Sequence, residues 1–243
     1  RGRISSQCLK RAIRSQFRKD LLLPADKLAQ RTKRLVDELT KRVVEAGKDA
    51  TEAHDAAVRA LASAGLAVKD DGKTQYLLFL AESEIARLAD LVVKHWRALS
   101  QSAESSGTDA GGKKSGKDRK KEAKGAAPPE VTKALEAVLD GGKAADLALF
   151  GRMLADLPEK NIDAASQVAH ALSTNKVSME MDFYTAVDDL KPDDTAGADM
   201  MGTVEFNSSC FYRYANVDLE QLKVNLGGDV ELTRQTVEAF LRA

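Results

Sequence analysis

The stretch Lys176-Val177-Ser178-Met179-Glu180-Met181-Asp182-Phe183-Tyr184 alternates apolar and polar side chains. Val177, Met179, Met181 and Phe183 fall on one side of an extended chain and Ser178, Glu180 and Asp182 on the other. Residues 176–184 therefore read as a strand with one apolar face. Val204–Asn216 reads as a second strand region. Asp188–Met201, with Pro192 and Gly197, is a long acidic excursion between them. Elsewhere the dominant period is that of a helix, and helices with a few strands define an α+β class.

Asp163–Ser173 has the composition of a capped, Ala-rich helix, and shorter helices fit 130–139 and 143–149. Residues 26–46 place Leu28, Leu35, Val36, Leu39, Val43 and Val44 at helical spacing, with Gly47 as the stop. Further helices fit 50–64 and 75–100. Asp218 and Asp229 stand as N-caps of two final short helices. Ser5-Ser6 opens the first helix, over Gln7–Lys19. Leu9, Ile13 and Phe17 form its apolar stripe, and Pro24 ends the element. Residues 101–128 are rich in Ser, Gly, Lys and Ala and read as a basic, flexible loop.

The chain has 243 residues, enough for one or two domains and for a core without staples. Its 43% apolar content excludes a wholly disordered protein, and a mean hydropathy of -0.34 excludes a membrane-embedded one. The net charge is zero, but its distribution is uneven. Residues 1–19 carry seven basic groups and no acid. Residues 111–124 carry seven against two acids, and 175–205 hold eight acids against two lysines. Such segregation suits a polyanion partner, or like molecules packing basic against acidic. Cys8 and Cys210 are too few and too isolated for a disulfide framework or a zinc site, and read as reduced core thiols of a cytoplasmic protein.

No catalytic constellation emerges. His54, His95 and His170 fall far apart on expected helices, without metal-ligand spacing. Asp188, Asp189, Asp193 and Asp194 suit either a divalent cation or a solvated loop. Gly141-Gly142 and Gly227-Gly228 resemble helix stops more than phosphate loops. The first helix carries the sharpest signal. Lys10 and Arg14 are i,i+4 neighbours, Arg11, Arg14 and Arg18 line an adjoining row, and Ser5, Ser6 and Gln7 sit at the positive end of the helix dipole. A phosphate chain fits across that end and along the rows; a solvated charged face has the same pattern. Phe183, Tyr184, Phe206, Phe211, Tyr212 and Tyr214 suit either base stacking or a core.

Arg3-Ile4-Ser5-Ser6-Gln7-Cys8-Leu9-Lys10-Arg11-Ala12 resembles the RISSQSLKRA signature of the CasC family, the backbone of the type I-E CRISPR surveillance complex Cascade. Gly151-Arg152-Met153, Ala169-His170-Ala171, Thr185-Ala186-Val187-Asp188-Asp189-Leu190, Gly202-Thr203-Val204-Glu205-Phe206, Phe211-Tyr212-Arg213-Tyr214-Ala215-Asn216 and Asn225-Leu226-Gly227-Gly228 fit the same family in the same order. The match is dense over 1–19 and 147–228 and thin over 20–146. Three positions depart from the pattern: Asn175 stands where the family usually carries His, Cys8 replaces Ser, and Phe183 replaces a larger aromatic of some relatives.

The resemblance implies a hand-shaped α+β fold with an RRM-like (ferredoxin-like) palm, a large helical finger insertion and a β-hairpin thumb. The expected segments are 1–24 (palm, with the basic helix), 25–150 (finger, including the loop 101–128), 151–175 (palm), 176–206 (thumb) and 207–243 (palm return). The family pattern extends beyond both ends of this chain, so the palm is expected to be incomplete. The implied function is a non-catalytic CRISPR RNA-binding scaffold, cytoplasmic and without cofactor, that polymerises along the guide and helps hold target DNA. Its partners would be CRISPR RNA, target DNA, further copies of itself in a helical filament and other Cascade subunits, with no membrane. The implied RNA contacts are Arg3, Ser5, Gln7, Lys10, Arg11 and Arg14 of the palm, the wedge Met153, and Phe183, Tyr184, Val187 and Met201 of the thumb. Lys120, Lys121 and Lys124 are the implied DNA contacts. Two other readings stand beside it: a metal-dependent RNA-cleaving relative using the acidic thumb loop, and a helical DNA-binding regulator with residues 5–19 as recognition helix.

Overall fold

The computed structural model describes residues 1–69, 71–100, 128–187 and 200–243. The basic loop up to residue 127, most of the acidic excursion, including Asp188, Asp189, Asp193 and Asp194, and Lys120, Lys121 and Lys124 lie outside the described residues. The chain divides into two compact units. The smaller joins Arg1–Arg11 to Val168–Asn216, and the larger joins Ala12–Gln167 to Val217–Ala243.

In chain order the first elements are β1 (Arg3–Ile4), α1 (Ser6–Lys19), β2 (Ala29–Thr32), α2 (Leu35–Glu45), α3 (Ala50–Ser63), β3 (Leu78–Ala81), α4 (Glu82–Lys94) and α5 (Trp96–Ser100). After them come α6 (Pro129–Val138), α7 (Ala145–Phe150), β4 (Ser166–Val168), β5 (Ala171–Ser173), β6 (Glu180–Ala186) and β7 (Met200–Phe206). The chain closes with β8 (Phe211–Tyr212), β9 (Ala215–Val217), α8 (Leu219–Asn225) and α9 (Val230–Arg242). The mixed helix and sheet class is as expected. Among the described residues no helix is long and apolar enough to cross a membrane.

The larger unit is held by two main apolar clusters. In one, Leu35, Val36, Leu39 and Val43 of α2 meet the small-residue face of α3 (Ala53, Ala56, Ala57, Ala60), with Ile85, Leu88 and Val92 of α4 and Leu135 of α6. The alanines recur at i, i+3, i+4 and i+7, which puts them on one stripe and lets the helices approach closely. Asp49 caps α3 by accepting from the Thr51 and Glu52 N–H groups at 2.8 and 3.1 Å. The other cluster gathers Ile13 and Phe17 of α1, Leu149 of α7, Leu222 of α8 with Leu226 just after it, and Leu232 of α9. Each such side chain, fully buried, contributes roughly 1.5–3 kcal/mol. Asp218 and Asp229 cap α8 and α9 as expected, accepting from Gln221 and Leu232 N–H groups at 3.0 Å.

A buried ion pair links two of these helical layers. The Arg152 guanidinium donates to both oxygens of Glu84 at 2.8 and 2.9 Å, and both side chains are fully buried. The Glu84 carboxylate also accepts from the Ala81 and Gly141 N–H groups, each at 2.7 Å, and Arg152 donates further to the Leu139 carbonyl. Gly151 makes this possible. Its φ is +75°, and a Cβ there would lie 2.8 Å from the Ile162 carbonyl oxygen. Nearby, Asp140 is held below the usual carboxylate range. Burial opposes its charge, but hydrogen bonds from Arg87 and the Gly142 N–H more than offset that.

Three sequence expectations change. The helix expected over 26–46 is a 3₁₀ turn at Ala25–Lys27, then β2, then α2. The helix expected over 75–100 begins only at Glu82, because Leu78–Ala81 forms β3, antiparallel to β2 with Arg31 opposite Phe79. All four β3 residues are buried, and a continuous apolar run does not distinguish strand from helix. The helix expected over 163–173 is instead β4 and β5. Ala171 and Ser173 are buried and Leu172 between them is exposed, a period of two that the alanines mask.

Candidate nucleic-acid interface

In the smaller unit β1, β5 and β8 form an antiparallel sheet in the order β1-β5-β8. Arg3 pairs with Leu172, and Leu172 pairs with Tyr212. Directly paired residues share a face, so Arg3, Leu172 and Tyr212 form one row across the sheet. All three are exposed, Tyr212 at 64%. Ile4 and Ala171 lie on the opposite face. Ser173 ties the N-terminal strand in place, its Oγ accepting from the Gly2 N–H at 2.8 Å. Tyr212 is thus one of the aromatics that is not core; its spacing alone left both roles open.

Ile4 leads directly into α1. Ser5 is the N-cap, its Oγ accepting from the Cys8 N–H at 3.1 Å, and the Ser6 N–H donates to His170 Nδ1 at 3.3 Å. The first turn is therefore partly satisfied by the protein itself. His170 lies between β4 and β5 rather than on the expected helix, and its contact with residue 6 spans 164 positions, beyond any local pattern. Gln7 and Arg11 follow on the exposed side of α1, with Lys10 half-buried.

Arg14 departs from the expected cationic row. It is only 9% exposed, and its Nε donates to Asp146 at 2.9 Å. Asp146 is itself fully buried and accepts from the Ala29 N–H at 2.7 Å. The Arg14 guanidinium also rests on the Phe79 ring, 4.2 Å from its centroid, with Arg31 at 4.8 Å from the same ring. Burial and the neighbouring Arg14 charge hold the Arg31 pKa below the ordinary guanidinium value. Arg18 donates to the Ala29 and Arg14 carbonyls. The apolar stripe and the ion pair together place Arg14 in the core, whereas Gln7 and Arg11 face outward.

The second feature of the smaller unit is the β6–β7 hairpin. Its register pairs Met181 with Glu205, Phe183 with Thr203, Tyr184 with Gly202 and Thr185 with Met201. Met181, Phe183 and Met201 therefore share one face, and all are more than 60% exposed. Tyr184 lies on the other face with Val204 and Phe206. Val187 follows β6 and is exposed too. The Tyr184 side chain lies across Gly202: a Cβ there would stand 2.6 Å from its hydroxyl oxygen and 2.7 and 3.0 Å from two ring carbons. Gly202→Val is therefore expected to expel the ring and loosen a two-stranded ribbon that is marginal by itself, at a cost of about 1–3 kcal/mol. Hydrogen exchange should show lost protection confined to residues 180–206; unchanged protection there would disprove the ring-over-glycine packing.

Met153, in the larger unit, is 83% exposed. Its neighbour Arg152 turns inward to Glu84 while Arg152 and Ile162 exchange backbone hydrogen bonds at 2.9 Å, which aims Met153 outward. Cys8 and Cys210 are free thiols, but both are exposed rather than in the core. Among the described residues no group of three His, Cys, Asp or Glu side chains can hold a metal ion.

This α+β chain, with an exposed arginine–aromatic row, a basic helix and a solvent-facing apolar hairpin, is similar to solved chains. A "CRISPR RNA-guided surveillance complex, pre-nicking" matches at 33% identity and a TM-score of 0.80, over 100% of this chain and 62% of that one. A "CRISPR RNA-guided surveillance complex" matches at 30% identity and a TM-score of 0.65, over 100% of this chain and 60% of that one. This chain thus spans less than two thirds of either. No curated protein matches it. The family model described as "CT1975-like protein" matches residues 1–243, and the chain belongs to that family.

Proposed function

We propose that this protein is a guide-RNA-binding scaffold subunit of a CRISPR surveillance complex, of the CasC kind found in type I-E Cascade. The observation that carries the proposal is the likeness, over all of this chain and at 33% identity, to a chain of an RNA-guided surveillance complex. The unit geometry supports it. Arg3, Gln7, Lys10 and Arg11 offer donors to phosphates without reading bases, which suits a protein that must hold any guide. The row of Arg3, Leu172 and Tyr212 gives unstacked bases an apolar and aromatic surface. Met153 and the Phe183/Met201 face of the hairpin have the exposure that apolar wedges need.

In this reading the β6–β7 hairpin is the thumb, α2–α6 the finger, and the β1-β5-β8 sheet part of an RRM-like palm. Successive copies line the guide head to tail in an open assembly, and Lys120, Lys121 and Lys124 meet target DNA. The protein acts without catalysis, metal or cofactor, in the cytoplasm.

The test is a charge reversal that leaves Arg14 intact. Arg3→Glu with Lys10→Glu and Arg11→Glu should weaken binding to spacer-length RNA of every sequence alike. Because three cations no longer neutralise phosphates, the slope of log K against log salt should become shallower by about 2. Fluorescence anisotropy at several salt concentrations reads both quantities. Affinity and slope equal to the parent's would refute the assignment of the RNA site.

A further inference from the structure

The larger unit holds a second cationic site that the RNA reading does not use. A cavity of about 420 Å³ opens beside the junction of α4 and α5. That volume lies in the range of about 300–1,000 Å³ typical of ligand sites. Lys48 comes from the turn between α2 and α3, and Lys94, His95, Trp96 and Arg97 come from the helix junction. Among the described residues no carboxylate lines the cavity. Among the described residues none forms an ion pair with Lys48, Lys94 or Arg97.

Three cations around one concavity repel each other, and low-dielectric walls focus their field. Trp96 organises the arrangement. One part of its side chain packs on the core cluster that includes Leu88 and Leu99, and the Lys48 ammonium lies 5.3 Å from its ring centroid. Lys48 is thus held toward the cavity by an aromatic surface rather than neutralised by an acid. Two ammonium groups and one guanidinium fork suit phosphate oxygens better than a lone carboxylate.

We propose that this cavity binds phosphate groups, supplied by the backbone of a single-stranded nucleic acid. Its residues are distinct from Arg3, Lys10 and Arg11. The choice of nucleic acid as the source rests on the RNA-binding reading; the affinity for phosphate does not.

Trp96 is the sole tryptophan of the chain, so its emission reports on this cavity alone. The full chain is titrated at low salt with pyrophosphate in one arm and with a short mixed-sequence single-stranded DNA in the other. Both are expected to change Trp96 emission saturably. Lys48→Ala with Arg97→Ala, each titration read against its own baseline, should weaken both responses about tenfold and flatten the oligonucleotide salt slope by about 1.4. The Arg3→Glu, Lys10→Glu, Arg11→Glu variant should keep the response, even where it loses guide binding; loss of the response there would overturn the separateness of the site. A response to pyrophosphate alone would keep the phosphate site and overturn the nucleic-acid source. No saturable response to either probe, or an equal response in the double variant, would overturn the site itself. If the double variant lacks the parent's helical circular dichroism, Lys94→Ala, an exposed position, takes its place, with weaker responses to both probes and a salt slope flattened by about 0.7.

Discussion

Arg152→Met is expected to destabilise the chain by about 3–5 kcal/mol, because it strands a carboxylate in the core. Glu84 has no exposed surface, and Arg152 supplies two of the hydrogen bonds that satisfy it. The Ala81 and Gly141 N–H groups remain after the substitution, but neither carries a charge. A domain stable by about 5–15 kcal/mol loses a large fraction of that margin. The companion variant decides between charge and shape. Glu84→Gln combined with Arg152→Met removes both charges while keeping an amide oxygen for one backbone donor. It should be more stable than Arg152→Met alone, so the two effects are strongly non-additive. Urea unfolding followed by far-ultraviolet circular dichroism measures both. A loss under about 1 kcal/mol for Arg152→Met would show that the pair does not lock α4 to the segment after α7.

That pair also shows what was legible in the sequence. Gly151-Arg152-Met153 stood out only as a family motif, with Met153 as its functional residue. The structure gives each residue a reason: glycine for the positive φ, arginine for Glu84, and methionine facing outward as a result. Glu84 and Arg152 are 68 positions apart, and nothing local announces them as partners. Features set by neighbours along the chain were readable. The Ile13 and Phe17 stripe, the Ala-rich α3, the Asp218 and Asp229 caps and a strand at the alternating stretch all followed from spacing, although that strand runs over Glu180–Ala186 rather than 176–184. Features set by distant backbone were not. Ala29–Thr32 becomes a strand because Leu78–Ala81 lies beside it, and Ala171–Ser173 because β1 and β8 flank it. The exposed Arg3–Leu172–Tyr212 row exists only through that second pairing, so half of the candidate interface was hidden until three remote segments met.

Arg14→Glu is the expected counterpart on α1, and it separates a structural arginine from a binding one. The variant would set a second carboxylate against Asp146 in a site already closed to solvent, where like charges repel strongly and neither is hydrated. It would also remove the cation from the Phe79 ring and the donor to the Ala29 carbonyl. The expected loss is again about 3–5 kcal/mol, or roughly 10 °C in melting temperature for a chain of this size. Arg11→Glu, three residues earlier on the exposed side of the same helix, should leave stability within about 0.5 kcal/mol and weaken RNA binding instead. Arg14→Met with Asp146→Asn should melt higher than Arg14→Met alone, because no charge is left buried without a partner. Melting curves and RNA anisotropy, recorded on the same samples below the melting point, give the contrast directly. If Arg14→Glu melts with the parent and loses RNA binding as Arg11→Glu does, the guanidinium belongs to the RNA face and the core ion pair is wrong. If instead it melts early, the basic helix has two sides with different tasks: Arg14 anchors its part of the helix in the core of the larger unit, and Arg11 presents its charge to phosphate.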